Sequence, residues 1–247
     1  MAEHPLDGRV ALVTGAGSGL GEATARVLAS AGCAVACVDL RRDTAEAAAA
    51  GIVASGARAI AWACDIADAD AVQTTVEAVI GRLGRLDILV NCAGVDHTLP
   101  LDDLTIAQWD HVLGVNLREP FLLAKAVWPG MRRQGSGHIV NVASTAAVRV
   151  WSGALPYHAS KWGLVGLSRA LGVEGRPYGI RSTTIIPGGM RTHFFDRFAA
   201  QGIPLPDTAM LQDPATVARL ILVALEVPPE SALQELIVTP VYEGGWP

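Results

Sequence analysis

Residues 9–21 read Arg-Val-Ala-Leu-Val-Thr-Gly-Ala-Gly-Ser-Gly-Leu-Gly, a short apolar run followed by alternate glycines. Residues 22–31 then show helical spacing, so the order predicts a strand, a glycine loop and a helix. Glycines let backbone amides approach a pyrophosphate, and the first turn of a helix offers unpaired N–H groups to an anion. The stretch therefore predicts a dinucleotide site, with a plain tight turn as the alternative.

The glycine spacing identifies the type of loop. The common pattern G-x-G-x-x-G fails here, because it requires glycine where Leu20 or Glu22 stands. The pattern T-G-x-x-x-G-x-G does fit. The residues expected to contact the cofactor in this loop are Thr14, Gly15, Gly17, Ser18, Gly19, Leu20 and Gly21.

Asp39 ends the next apolar run, residues 34–38, about 20 residues after the glycines. A carboxylate at this position accepts hydrogen bonds from ribose hydroxyls and repels the 2′-phosphate of NADP. Arg41 and Arg42 lie close by and could bind that phosphate instead, which would favour NADP. The alternative is that they only begin the next helix and face solvent. We expect NAD rather than NADP, with Leu40 beside Asp39 among the cofactor contacts.

Apolar runs and helical patterns alternate along the rest of the chain. Strands are predicted at 59–63, 86–90, 138–143, 180–186 and 235–239, and helices at 43–55, 68–83, 105–133, 156–176 and 213–226. Asp68 and Asp213 are expected N-caps, and the 105–133 region should be interrupted at Pro120 and end near Pro129. The alternation predicts an α/β fold, a Rossmann-type doubly wound parallel sheet of about seven strands, ordered 3-2-1-4-5-6-7, with helices on both faces.

No linker, repeat or low-complexity tract divides residues 1–247, so a single domain is expected. Residues of about 188–212 combine phenylalanines with Gly and Pro, which favours a mobile apolar lid over the substrate. An ordinary amphipathic helix with a linker is the alternative.

Composition excludes several classes of protein. The net charge of −5, without a basic cluster, argues against nucleic-acid binding. No apolar run approaches 18 residues and the N-terminus lacks a signal pattern, so we expect no membrane association and a cytoplasmic location. The four cysteines show no C-x-x-C pairing, which favours reduced, buried side chains and no metal site.

Three residues near the middle of the chain suggest chemistry. Ser144 should end a strand, while Tyr157 and Lys161 lie four residues apart on one face of a helix. A free phenol has a pKa of roughly 10, and a fixed positive charge nearby favours the phenolate. The alternative is a surface Tyr–Lys pair beside an ordinary serine.

Two asparagines lie in apolar surroundings. Asn91 begins the segment 91–94 after the fourth strand, at the point where a doubly wound sheet reverses its order and binds ligands. A turn held by its side chain would explain it equally well. Asn116 lies in the long helical region, where a buried amide that only satisfies the backbone is the alternative.

Taken together, these motifs resemble the short-chain dehydrogenase/reductase family from Val10 to about Thr239. The resemblance is carried by residues 14–21, Asp65, Asn91-Cys-Ala-Gly94, Asn116, Ser144, Tyr157-x-x-x-Lys161, Pro187-Gly188 and Thr192. It implies an oxidoreductase that interconverts a secondary alcohol and a ketone, with Tyr157 as acid/base. Lys161 would lower the pKa of Tyr157 and hold the nicotinamide ribose, Ser144 would bond the substrate oxygen, and Asn116 would support a proton relay. The further cofactor contacts that it implies are Asp65, Ile66, Asn91, Ala93, Gly94, Pro187, Gly188 and Thr192.

The chain departs from the family pattern at Cys92 and at Ser182-Thr183-Thr184. Neither departure removes a group that the mechanism needs. An NADPH-dependent 3-oxoacyl thioester reductase, an epimerase or dehydratase, and a non-catalytic NAD-binding regulator stay open as alternatives. The resemblance also implies a homotetramer or homodimer, and we expect the tail at 242–247 to pack at a subunit interface.

Overall fold

In the computed structural model, which describes residues 4–243, seven strands form one parallel sheet. They are β1 (Val10–Thr14), β2 (Ala34–Asp39), β3 (Ala59–Ala63), β4 (Ile88–Asn91), β5 (Gly137–Val142), β6 (Ile180–Pro187) and β7 (Glu235–Val238). Their order is β3-β2-β1-β4-β5-β6-β7, with every neighbouring pair parallel. The predicted fold class and strand order are confirmed.

Helices cover both faces of the sheet. They are α1 (Gly19–Ser30), α2 (Arg42–Ala54), α3 (Ala69–Leu83), α4 (Ile106–Leu113), α5 (Glu119–Gln134), α6 (Leu155–Gly175), α7 (Asp196–Ala200) and α8 (Pro214–Glu226). Side chains of β1 alternate between the layers: Ala11 and Val13 pack with α1, α2 and α8, whereas Val10 and Leu12 pack with α3 and α5. Because both faces are buried, the central strands are mostly apolar.

Several helices begin at side-chain caps. Asp68 accepts from the amides of Asp70 and Ala71 at the start of α3. Asp213 accepts from the amide of Ala215, and Pro214 occupies the first position of α8. Both aspartate caps agree with the sequence prediction.

The long helical region differs from the prediction. The irregularity precedes Pro120: residues Gly114–Arg118 form a π-helical turn, closed by a bond from the Glu119 amide to the Gly114 carbonyl. Pro120 lies in the first turn of α5, where a missing amide costs little. The expected end near Pro129 is wrong, because α5 continues to Gln134. Pro129 lies on an exposed face of the helix, where water can replace the lost backbone bond.

The hydroxyl residues of β6 form buried hydrogen bonds. The hydroxyls of Ser182 and Ser168 lie 2.8 Å apart. Thr183 Oγ1 donates to the Leu233 carbonyl at 2.6 Å and lies 2.7 Å from His138 Nε2. Because the only proton of Thr183 Oγ1 goes to Leu233, His138 Nε2 must donate to it. Ser182 and Thr183, where the chain departs from the family pattern, therefore supply partners for polar groups inside the sheet, whereas Thr184 Oγ1 is buried and bonds none of the described residues.

Residues 190–212 contain α7 and short 3₁₀ turns at His193–Phe195 and Thr208–Met210. Met190 and Gln212 form a parallel bridge, so both ends of the segment meet beside β6. Across residues 4–243, no helix combines the length and apolarity needed to cross a bilayer.

Candidate active site

The loops that follow β1 and β4 are joined by one hydroxyl. Thr14 Oγ1 accepts from the amides of Cys92 and Ala93, at 3.1 and 3.2 Å. Gly15, at φ +63°, lies so close to this loop that a Cβ would stand 3.0 Å from Ala93 Cα. The predicted residues Thr14, Gly15 and Ala93 are thus brought together at the carboxyl edge of the sheet.

Close packing against backbone at Gly21 and against side chains at Gly17 explains two more glycines of the loop. A Cβ on Gly21 would lie 2.1 Å from the carbonyl oxygen of Gly15, so α1 could not pack against the loop. A Cβ on Gly17 would stand 2.4 Å from Thr44 Oγ1 and 2.8 Å from Asp39 Oδ2. Real Cβ atoms do not tolerate such distances, so the loop needs glycine at both positions.

Helix α1 begins directly at this loop. Among the described residues, no side-chain bond from the N-cap Ser18 caps it, which leaves its first amides open to a ligand. Gly19 has φ +56°, and a Cβ there would meet the Thr192 side chain at 3.2 Å. Leu20 is buried in the core and anchors the first turn. The loop 15–21, with its four glycines, forms a cradle at the N-terminus of a 12-residue helix, and such a cradle fits a pyrophosphate.

Asp39 holds the cradle to the end of β2. Its Oδ2 accepts from the Gly17 amide at 2.9 Å, and its Oδ1 accepts from the Arg41 amide at 3.0 Å and from Thr44 Oγ1 at 3.3 Å. Leu40 is 70% exposed beside it. The carboxylate therefore faces the glycine loop, where a bound ribose would lie.

The next loop brings Asp65 and Ile66 to the same edge. The Cys64 amide donates to the Asp39 carbonyl at 2.9 Å, which aligns this loop with the end of β2. Asp65 Oδ1 accepts from the Ala67 amide at 3.0 Å, and Ile66 is partly buried. Both predicted residues flank the Asp39 side of the cradle.

Asn91 points into the protein interior. Its Nδ2 donates to Asn141 Oδ1 at 2.7 Å, and Asn141 in turn donates to Ser168 Oγ at 3.1 Å. Asn91 Oδ1 is buried and accepts no hydrogen bond from the described residues. The side chain thus fixes β4 to β5 instead of closing its own turn.

Asn116 lies inside the π turn and is 1% exposed. Its amide bonds both the N–H and the carbonyl of Val95, at 2.8 and 2.9 Å, and donates to Ser160 Oγ at 3.1 Å. A Cβ on Gly94 would lie 3.5 Å from Asn116 Oδ1 and 3.6 Å from Lys161 Nζ. Asn116 satisfies the backbone, as the simpler interpretation expected, and it also borders the site at Gly94.

Tyr157, Lys161 and Ser144 converge beside this loop. Lys161 Nζ donates to the Val142 carbonyl at 2.9 Å and lies 5.6 Å from the Tyr157 ring centroid. Ser144 Oγ accepts from the Ala146 amide at 3.1 Å, and Ser144 also hydrogen-bonds the Tyr157 side chain. Both Lys161 and Ser160 on α6 are buried, so a surface Tyr–Lys pair is excluded.

Burial dominates the electrostatics of these groups. It raises the pKa of Tyr157 to about 12, while the hydrogen bond with Ser144 opposes the rise. Burial also lowers the pKa of Lys161 to about 8, opposed by the negative charges of Cys92 and Glu119 in their ionised forms. The pKa of Tyr157 is thus not lowered in the chain alone, contrary to the expectation. Desolvation of the phenol outweighs the hydrogen bond with Ser144 and the positive charge of Arg197, and the negative charge of Asp96 adds to the rise.

The end of β6 carries the next group of predicted residues. Pro187 is the last residue of β6, and the Gly188 amide donates to the Val238 carbonyl at 2.8 Å. Thr192 caps the turn that follows and packs against Gly19. The loops after β1 and β6 therefore lie side by side at the carboxyl edge of the sheet.

Glu243, which the sequence did not indicate, closes this end of the site. Its Oε2 accepts from the Gly189 amide at 2.9 Å, and its carboxylate pairs with Arg149. Thr145 Oγ1 donates to Oε1 at 3.4 Å. Tyr242 is exposed, and the rest of the predicted interface tail, 244–247, lies outside the described residues.

Three further charged residues escaped the sequence interpretation. Asp96, in the loop after Gly94, pairs with Arg197 of α7 at 2.8 Å, and both charges act on Tyr157. Glu119, at the start of α5, is fully buried, and burial raises its pKa to about 8. The sequence showed only that Asp96 follows Gly94 by two residues and that Glu119 precedes Pro120. It indicated neither the ion pair of Asp96 nor the burial of Glu119.

Cys92 behaves as the sequence suggested. All four cysteines are free, and burial raises the pKa of the Cys92 thiol to about 12. The thiolate, which is the reactive form, is therefore suppressed. Cys92 fills space under the site.

Known proteins are similar to this chain in sequence. The sequence profile of the family described as short chain dehydrogenase matches residues 9–201. D-threitol dehydrogenase of Mycolicibacterium smegmatis is 45% identical over 182 residues, which cover 74% of this chain and 70% of the relative. Levodione reductase of Leifsonia aquatica is 40% identical over 187 residues, covering 74% and 70%.

A solved structure extends the similarity over almost the whole fold. The crystal structure of a metagenomic short-chain oxidoreductase in complex with NADP matches with a TM-score of 0.84 and 32% identity, covering 97% of this chain and 100% of that one. The profile match, the two relatives and the shared fold point to the same family. The chain belongs to the short-chain dehydrogenase family.

Proposed function

We propose that the chain is an NAD-dependent oxidoreductase that interconverts a secondary alcohol and a ketone. One observation carries the proposal: the Tyr157 phenol, the Ser144 hydroxyl and the buried Lys161 ammonium group meet at the end of the glycine cradle. A proton donor and a second hydrogen-bonding group beside a dinucleotide cradle suit hydride chemistry at a carbon–oxygen bond.

The cofactor contacts follow from the cradle. The loop at 15–21 and the open amides of α1 would hold the pyrophosphate, and Asp39 would bond the adenosine ribose. Pro187, Gly188 and Thr192 would border the nicotinamide end. When bound, the nicotinamide supplies or accepts the hydride.

Side chains of the protein donate and accept the proton. At neutral pH a Tyr157 phenol with a raised pKa keeps its proton and can donate it to the oxygen of a ketone. In the opposite direction the Tyr157 phenolate takes the hydroxyl proton, and the Lys161 charge stabilises that phenolate before the transfer. Ser144 orients the same oxygen, and Asn116 holds the 94–95 backbone in place.

The choice of NAD rests on Asp39. Its carboxylate faces the cradle and would repel a 2′-phosphate. The metagenomic relative was crystallised with NADP, so family membership alone does not select the cofactor. The relatives named D-threitol dehydrogenase and levodione reductase represent both reaction directions.

We further propose that residues 188–212 form a lid over the substrate. Phe194 of this segment lies 5.6 Å, between ring centroids, from Tyr157. Phe195 and Phe198 continue the aromatic contact along the segment. Such a cover excludes water from the reacting atoms.

The proposal is tested by measuring NADH formation with a panel of secondary alcohols, including sugars, steroids, hydroxy acids and terpenoid alcohols. We expect turnover with some of them, and a loss of about 10²- to 10⁴-fold in kcat for Tyr157→Phe. Tyr178→Phe removes a phenol far from the site and is the matched control. Full activity of Tyr157→Phe, or binding of NAD without turnover of any alcohol or ketone, would contradict the proposal.

A further inference from the structure

Asp96 places a carboxylate in the substrate region, where the proposed chemistry needs none. The residue is 8% exposed. Its Oδ2 accepts from Arg197 Nη2 at 2.8 Å and from Thr98 Oγ1 at 2.9 Å. Its Oδ1 is buried and accepts no hydrogen bond from any residue in 4–243. A buried acceptor without a donor is costly, so it calls for a ligand.

The surroundings place Asp96 beside the reacting centre. Arg197 lies 4.1 Å over the ring of Phe194, whose centroid is 5.6 Å from that of Tyr157. Asp96, Arg197, Phe194 and Tyr157 therefore form one continuous wall. The charges of Asp96 and Arg197 both act on the pKa of the Tyr157 phenol, in opposite directions, which agrees with this proximity.

The charge balance of the wall selects the kind of group that can bind. Arg197 already pairs with Asp96, so the pair is neutral as a whole. A substrate ammonium would leave a buried excess positive charge, and a substrate carboxylate would face the unpaired oxygen of Asp96. A neutral hydroxyl supplies the missing hydrogen bond without adding charge.

We propose that Asp96 Oδ1 accepts a hydrogen bond from a second hydroxyl of the substrate, so that the enzyme prefers diols and hydroxyketones over simple alcohols and ketones. The inference rests on the proposed function and names its substrate class. Arg197 is the positioning residue: it fixes the carboxylate through Oδ2 and leaves Oδ1 directed at the substrate.

The preference is measured as a ratio of kcat/KM values. The vicinal diol is the butanediol with hydroxyls on its two central carbons, and the mono-alcohol is sec-butanol. For the unmodified enzyme we expect the diol to be favoured about 10- to 100-fold, as for a hydrogen bond to a charged group. A matching amino alcohol tests the ammonium alternative.

Variants test whether Asp96 causes the preference for the diol. Asp96→Asn should reduce it about tenfold, because a neutral partner bonds more weakly, and Asp96→Ala should bring it close to one. Arg197→Gln should lower kcat/KM for both substrates by a similar factor, because it keeps a donor for Oδ2 while loosening the lid. Asp102→Asn, an exposed acid in the same loop region, is the control and should leave the ratio unchanged.

The outcomes separate the two proposals. NADH binding, followed by fluorescence, and circular dichroism establish that each variant is folded with an intact cradle. Equal efficiency with diol and mono-alcohol, an unchanged ratio in Asp96→Ala, or a preference for the amino alcohol overturns the inference and leaves the proposed function standing. Absence of turnover with every alcohol overturns both.

Discussion

Replacing Asp39 by asparagine should shift the enzyme toward NADPH. The carboxylate lies against the Gly17 amide at 2.9 Å, so a 2′-phosphate on the bound ribose would come close to it. At a separation of about 5 Å and an effective dielectric constant of about 20 to 80, each pair of unit charges costs roughly 1 to 3 kcal/mol. We therefore expect the ratio of kcat/KM with NADPH to that with NADH to rise about 10- to 100-fold in Asp39→Asn.

The ratio of the two kcat/KM values separates the effect of the Asp39 charge from the effect of its hydrogen bonds, because lost hydrogen bonds weaken the binding of both cofactors. Asp39 also accepts from the Arg41 amide, and one asparagine oxygen cannot serve every donor, so both cofactors should bind more weakly. The assay is the initial rate on one ketone with each reduced cofactor. Asp43→Asn, which removes the same charge from an exposed position nearby, is the matched control. A natural preference for NADPH, or an equal shift in Asp43→Asn, would refute the electrostatic reasoning.

Two buried groups make the stability of the protein depend on pH. Burial lowers the pKa of His138 to about 3, so its contribution to the free energy of unfolding should fall by about 1.4 kcal/mol per pH unit as pH drops from its ordinary pKa of 6.5. In urea unfolding between pH 7 and pH 4, the unmodified protein should lose stability relative to His138→Gln as pH drops, whereas exposed His4→Gln should follow the unmodified protein; equal slopes in all three would contradict this. Burial raises the pKa of Glu119 to about 8, so its contribution should fall with a similar slope as pH rises from 4.5 toward 8, and the two contributions oppose each other between pH 4.5 and 6.5. Glu119→Gln should flatten that slope, and a slope identical to that of the unmodified protein would refute it.

Local patterns in the sequence were sufficient to predict the sheet and the cradle. The run 9–21 contains a complete strand, loop and helix start, because glycine conformation and helix capping act over a few residues. Asp68 and Asp213 cap their helices for the same local reason. The prediction therefore succeeded where the physical cause lies within one turn of the chain.

Long-range pairing was not predictable in the same way. Asp96 and Arg197 are 101 residues apart in sequence, and nothing in either segment specifies the other. Burial depends on the assembled fold as well, which is why the pKa of Tyr157 was expected to fall and instead rises. A single sequence identifies the groups that can react. It does not show which of them are desolvated.

Because of the π turn at Gly114–Arg118, the number of residues in this region matters as well as their identity. Each residue of a helix advances its side chains by about 100°, so the extra residue of the turn sets the rotation of α5 relative to α4. Deleting one residue there would turn Leu123 and Val127 away from the sheet or Asn116 away from Val95. Grafts between relatives should therefore keep residues 106–134 as an uninterrupted unit.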